Sequence, residues 1–123
     1  MQTAIIVDDN REMRETLRNI IMEYVSVVAE CEDGNEIVES YRIHHPDWVF
    51  MDISMKHVDG VTATKLLTTE FPDAKVVMVS NFEDPEMEQL AETAGSFGYV
   101  QKERLQLVRK YFIQDQTKTE GLK

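Results

Sequence analysis

The sequence predicts an α/β fold, a doubly wound five-stranded parallel sheet with helices on both faces. Short continuous apolar runs recur along the chain and read as strands buried on both faces. Stretches with apolar residues at helical spacing separate them. The β-then-α alternation occurs five times in 123 residues, the length of one domain. Right-handed crossovers leave only a few doubly wound topologies. In these the site lies outside the carboxyl ends of the strands, at a switch in strand order.

Ala4-Ile5-Ile6-Val7 is rich in β-branched residues and stops at two aspartates. Met13, Leu17, Ile20, Ile21 and Tyr24 follow at helical spacing, with Asp9 or Asn10 as cap and Glu12 reaching back. Val25 to Ala29 is the second strand, and Ile37, Val38 and Tyr41 mark the second helix after Gly34. Trp48-Val49-Phe50-Met51 ends at Asp52, and Asp59-Gly60 opens a helix carrying Ala63, Leu66 and Leu67 on one side. Val76-Val77-Met78-Val79 ends at Ser80. Asp84-Pro85 starts a helix with Asp as cap and Pro at its first position. Met87, Leu90, Ala91 and Ala94 form one face of that helix, and Gly95 stops it. Phe97 to Val100 is a fifth short strand, and Leu105, Val108 and Phe112 mark a last helix. The expected domain is residues 1–113; the polar, aperiodic stretch 114–123 reads as a tail or the start of a linker.

Composition narrows the function. Asp plus Glu outnumber Lys plus Arg by 23 to 13, giving a formal net charge of −10. A domain of that sign is not expected to grip nucleic acid or an anionic membrane directly. Cys31 is the sole cysteine, so no internal disulfide forms, and it reads as a small buried hydrophobe. There is no apolar run of membrane-spanning length and no signal-peptide pattern at the start, so a cytoplasmic location is expected.

The predicted topology collects a specific set at one sheet edge: Asp8 and Asp9 after the first strand, Asp52 after the third, Ser80 after the fourth and Lys102 after the fifth. Each alone has an ordinary explanation as a cap, turn or solvated charge. Together, three carboxylates repel unless a cation joins them. Hard oxygen ligands suit Mg²⁺. A hydroxyl and an ammonium opposite would hold phosphate oxygens. The set is an apparatus for phosphoryl transfer.

With those residues in view, the sequence resembles the receiver (phosphoacceptor) domains of bacterial two-component response regulators. The likeness runs from Thr3 to about Phe112. It is carried by Ile5-Ile6-Val7-Asp8-Asp9-Asn10, Val49-Phe50-Met51-Asp52-Ile53-Ser54-Met55, Asp59-Gly60, Val79-Ser80 and Gly98-Tyr99-Val100-Gln101-Lys102. The resemblance implies a flavodoxin-like fold and a set of roles. Asp52 is the phosphoacceptor, taking its phosphoryl group from a sensor histidine kinase or a phosphotransfer protein. Asp8, Asp9, Asp52 and the backbone carbonyl of Ser54 hold Mg²⁺. Ser80 is the switch hydroxyl, Lys102 pairs with the phosphoryl oxygens, and Tyr99 is the aromatic that turns inward. The helix 4–strand 5–helix 5 surface then changes. By the same resemblance the chain is a signalling domain rather than an enzyme, beyond catalysing its own phosphorylation and dephosphorylation. Its Gly98–Lys102 ending resembles receivers that precede a helix-turn-helix output domain acting on transcription, with a free-standing regulator as the equal alternative. The rival readings are an aspartyl-nucleophile phosphohydrolase, which would want an Asp where Ser54 stands, and a phosphorylation-independent interaction module.

The chain departs from the family pattern at Lys56, where proline is usual, so a more mobile or altered loop is expected. Asn81 replaces a smaller residue, and with Phe82 it would shield the site and slow hydrolysis of the phosphoryl group. His44-His45 reads as a helix end before Pro46 rather than a metal site, and His57 as a solvated loop residue. Met13, Met22, Met51, Met78 and Met87 are expected mostly in the core, and Gly95 and Gly98 form no phosphate cradle. Glu83, Asp84, Glu86, Glu88 and Glu92 make the fourth helix acidic, while Lys102, Arg104, Arg109 and Lys110 make the last element basic. Two such faces can meet in a symmetric homodimer.

Overall fold

The computed structural model describes residues 1–81 and 84–113. The expected tail at 114–123, and the contributions assigned to Phe82 and Glu83, lie outside the described residues. The elements are β1 Gln2–Val7, α1 Arg11–Ile21, β2 Val25–Cys31, a 3-10 turn Gly34–Glu36, α2 Ile37–His44, β3 Trp48–Asp52, α3 Gly60–Glu70, β4 Val76–Ser80, α4 Pro85–Thr93 and β5 Gly98–Gln101. A 3-10 stretch Lys102–Val108, kinked at Arg104, then runs into α5 at 109–113. The strands form one parallel sheet in the order β2-β1-β3-β4-β5. Among the described residues no helix is long and apolar enough to cross a membrane.

Strand alternation divides the core in two. Ala4, Ile6, Trp48, Phe50, Val77, Val79 and Val100 face α1 and α5, where Leu17, Ile21, Val108 and Phe112 cover them. Ile5, Val7, Val49, Met51, Val76 and Met78 face the other way, onto Ile37, Tyr41, Ala63, Leu67 and Ala91 of α2, α3 and α4. β3 and β4 are buried at every position, as an all-apolar reading requires. β2 is not. It is an edge strand, and Ser26, Val28 and Glu30 along it are exposed. An edge strand has a neighbouring strand on one side only, so positions along it stay wet, which a run of valines does not reveal.

Caps fall largely where the sequence puts them. Asn10, not Asp9, caps α1 by accepting from the Met13 N–H at 3.0 Å. Asp59 caps α3, and Asp84 caps α4 with Pro85 behind it. Gly95 ends α4 with φ +103, a left-handed conformation that favours glycine, and His45 ends α2 with φ 44. Some side chains differ from expectation. Leu66 and Leu90 are exposed, because α3 and α4 bury narrow stripes led by Ala63, Thr64, Leu67 and Ala91, and Met22 is exposed at the end of α1 rather than in the core. Tyr24 lies beyond the end of α1 and stacks on Phe112 instead. The last element begins as a 3-10 helix rather than an α-helix, yet Leu105, Val108 and Phe112 are all buried as expected. Cys31 is buried, and burial pushes its thiol up to about 11, so it is unreactive near neutral pH.

Candidate functional site

The sheet order reverses between β1 and β3, which are neighbours although β2 intervenes in sequence. Both strands end at this crevice. Val7 pairs with Met51 in register, so Asp8 and Asp52, one residue further along each strand, emerge side by side. Asp8 and Asp52 are 3% and 5% exposed, and Ser80, at the end of the adjacent β4, is 4% exposed. Asp9 is exposed at the rim. One carboxylate oxygen from each of Asp8, Asp9 and Asp52 lies within 4.8 Å of the others.

Lys102 closes the cluster. Its Nζ lies 3.0 Å from Asp52 Oδ1 and 3.2 Å from Asp8 Oδ2, with a mostly buried side chain. It sits one residue past the end of β5, whose Gln101 pairs with Ser80. Burial pulls the Lys102 ammonium down, but Asp52 and Asp8 outweigh it, and its pKa ends above the ordinary lysine value. Burial and then the Asp8 charge push the Asp52 carboxyl from 3.8 up to about 6, against the opposing pull of Lys102. Three carboxylates facing one ammonium leave an excess of negative charge in a partly dry crevice. An all-oxygen donor set with that excess fits a hard divalent cation.

Tyr99, on β5, is half-buried on the α4 side of the sheet. Ser54 is exposed in the loop two residues beyond Asp52. The structure therefore brings together Asp8, Asp9, Asp52 and Lys102, places Ser80 at the neighbouring strand end, and sets Tyr99 further along the same edge.

Sequence reasoning missed two supporting residues. Arg14 is 8% exposed and donates from Nη1 to the Asp8 carbonyl at 2.8 Å, while its Nε reaches Glu30 at 3.1 Å. Arg18 also pairs with Glu30. Arg14 shares the inward stripe of α1 with Leu17 and Ile21, and a cation on that stripe was the available signal. Truncating Arg14 to Ala would leave the Asp8 carbonyl without this donor and leave Glu30 with Arg18 alone. The expected loss is about 2 kcal/mol, read from urea denaturation; an unchanged midpoint would remove Arg14 from the framework. The second residue is Asp33, whose spacing to Glu36 is that of a capping box.

The family model described as the response regulator receiver domain matches residues 4–111. The chain belongs to that family. The receiver is 39% identical over 101 residues to the transcriptional regulatory protein DegU of Brevibacillus brevis, a match covering 80% of this chain and 43% of that protein. It is 37% identical over 99 residues to the chemotaxis protein CheY of Halobacterium salinarum, covering 80% of this chain and 82% of that one. The chain thus spans under half of the DegU relative and most of the CheY relative. Among solved structures it resembles a LuxR-family two-component response regulator from Aurantimonas, with TM-score 0.84, 26% identity, and coverage of 93% of this chain and 86% of that chain. The flavodoxin-like fold and the membership in two-component signalling expected from sequence both hold, and the Asp8–Asp9–Asp52 cluster fits the receiver phosphorylation site.

Proposed function

We propose that Asp52 accepts a phosphoryl group from the phosphohistidine of a sensor histidine kinase or a phosphotransfer protein. The observation that carries this reading is the juxtaposition of the buried Asp52 carboxylate with Asp8, Asp9 and the Lys102 ammonium at a sheet switch point. An Asp52 oxygen attacks phosphorus, the donor's P–N bond breaks, and its electron pair returns to the imidazole, which takes up a proton. Asp8, Asp9, Asp52 and the Ser54 carbonyl would hold Mg²⁺, which would supply positive charge to offset that of the phosphoryl group. Lys102 gives up its bridge between Asp8 and Asp52 and pairs with a phosphoryl oxygen. Ser80 donates its hydroxyl to another, and Tyr99 turns into the space that Ser80 leaves. The new charge thereby biases the α4–β5–α5 face between two arrangements.

On this reading the chain catalyses only its own phosphorylation and autodephosphorylation, and it works in the cytoplasm. The receiver occupies 1–113, with 114–123 as tail or linker, and a DNA-binding output domain would carry the signal to transcription. Exposed Glu86, Glu88 and Glu92 on α4, and exposed Arg104 and Lys110 beside half-buried Arg109, support a homodimer in which each acidic helix meets the partner's basic one. Sedimentation with and without beryllofluoride plus Mg²⁺ tests that dimer; a monomer under both conditions removes it.

The deciding experiment is incubation with Mg²⁺ and acetyl phosphate, followed by intact-mass measurement. One added phosphoryl group is expected, absent with EDTA. An unchanged mass would favour a phosphorylation-independent module. In the same protein, Mg²⁺ at a hundred times its Kd should stabilise the fold by about 2.7 kcal/mol. A melting temperature indifferent to Mg²⁺ would remove the metal from this account.

A further inference from the structure

We infer that Asp33, in the β2–α2 connection, is a positioning residue that fixes the loop after Asp52 and so tunes the chain's grip on Mg²⁺. The inference rests on the metal-binding reading above. Asp33 is 6% exposed and touches none of the three clustered carboxylates. Its Oδ1 accepts the His57 N–H at 2.9 Å, and its Oδ2 accepts the Val58 N–H at 3.0 Å and the Asn35 N–H at 3.1 Å. Burial favours the neutral acid, yet these three donors hold its carboxyl below the usual range. Asp33 is itself fixed. Glu36 Oε2 accepts the N–H groups of both Asp33 and Glu32 at 2.9 Å.

The loop from Ile53 to Asp59 carries Ser54, whose carbonyl is the proposed ligand that no side chain can replace. Two anchors hold that loop. Gly60 N–H donates to the Ile53 carbonyl at 2.7 Å and closes its ends. Asp33 takes the two consecutive N–H groups at 57 and 58. Gly34 allows the approach, since a Cβ there would stand 2.5 Å from the Val58 carbonyl oxygen. The same segment reaches the other half of the site, because the Cys31 carbonyl accepts the Asp8 N–H at 3.0 Å. Residues 31–33 thus tie the acidic strand end and the following loop to one piece of backbone. In a loop where Lys56 supplies no fixed φ, the Asp33 carboxylate supplies two backbone anchors.

The test compares wild type with Asp33→Ala and Asp33→Asn by calorimetric titration with MgCl₂ alone and by acetyl phosphate uptake. Asp33→Ala should weaken Mg²⁺ binding about tenfold, the usual cost of removing a supporting partner, with phosphoryl uptake returning toward the wild-type rate at saturating Mg²⁺. Asp33→Asn keeps one acceptor and loses the other, so its Mg²⁺ affinity should fall between the two. A purely structural role would lower the melting temperature and leave the Mg²⁺ affinity of the folded variants at the wild-type value, which would overturn the inference. Amide exchange of metal-free wild type provides a measurement independent of variant folding. His57 and Val58 should be protected, and exchange there at unprotected rates would also overturn it. A wild type that binds Mg²⁺ but takes no phosphoryl group would instead strike the phosphoacceptor reading, leaving Asp33 to be judged on affinity and exchange.

Discussion

Asp52→Asn should abolish phosphoryl uptake and, with EDTA present at pH 7.5, make the fold more stable. The first effect follows from replacing the nucleophilic carboxylate with an amide. The second follows from the crowding that makes the site useful. The Asp52 carboxyl is raised from 3.8 to about 6 in the folded chain. Between those values the folded state holds a proton that the unfolded state has released. Stability is therefore greatest, as far as this group is concerned, below pH 4 and falls as pH rises through 6. Above that the ionised Asp52 stands beside Asp8 with only Lys102 to offset it. A shift of that size caps the gain from neutralisation at about 3 kcal/mol. That shift is already net of the Lys102 contacts, and the buried amide keeps part of a polar group's desolvation cost, so about 2 kcal/mol is expected. Urea denaturation of both proteins in EDTA at pH 4 and 7.5 checks it: the advantage of the variant should be present at 7.5 and shrink at 4. A variant less stable than wild type at 7.5 would mean that the Lys102–Asp52 pair outweighs the repulsion.

Gly60→Ala should be the most damaging single-methyl change near the site. A Cβ at Gly60 would lie 2.1 Å from the Asp52 carbonyl oxygen and 2.9 Å from the Ile53 Cα. Those atoms belong to a fully buried strand end and its continuation, so they cannot rotate away as a side chain would. The first turn of α3 would have to retreat, opening the contact that Ala63 and Leu67 make with the sheet. Overpacking of this kind costs about 3 kcal/mol, or roughly 10 °C in melting temperature for a domain of this size. Because the displaced atom is the backbone of Asp52, the proposed phosphoacceptor, acetyl phosphate uptake should fall as well. Gly98→Ala is the control. Its Cβ would meet the Tyr111 ring, 2.1 Å from the hydroxyl and 2.5 Å from Cζ, and a side chain can shift where strand backbone cannot, so it should cost less. Equal melting temperatures for wild type and Gly60→Ala would show that α3 does not pack against Asp52 as described.

Periodicity made most of the fold legible. Apolar runs such as Val76–Val79 can be satisfied only between two helical layers, and amphipathic stripes such as Leu17 and Ile21 supply those layers. The caps at Asn10, Asp59 and Asp84 are local chemistry, complete within four residues, so they too can be read from order alone. The site residues were legible because parallel topology sends every strand end to one edge, whatever the loops do. That is why Asp8, Asp52 and Lys102 could be placed together from positions far apart in sequence.

Contacts between loops were not legible. Nothing in the order of residues says that the Asp33 carboxylate meets the N–H groups of His57 and Val58, because loop-to-loop bonds have no period. The wet side of β2 and the exposure of Leu66 and Leu90 were hidden for a related reason: they depend on which neighbour covers a face, and an edge strand or a narrowly packed helix lacks one. The raised Asp52 carboxyl arises from burial and from a charge on another strand. The sequence by itself determined which residues form the sheet, which helices flank it and which side chains reach its carboxyl edge, since these follow from local repeats and handed crossovers. Only the tertiary structure decided how far apart those side chains stand, what holds their loops and how their charges perturb one another, since these depend on distances through space.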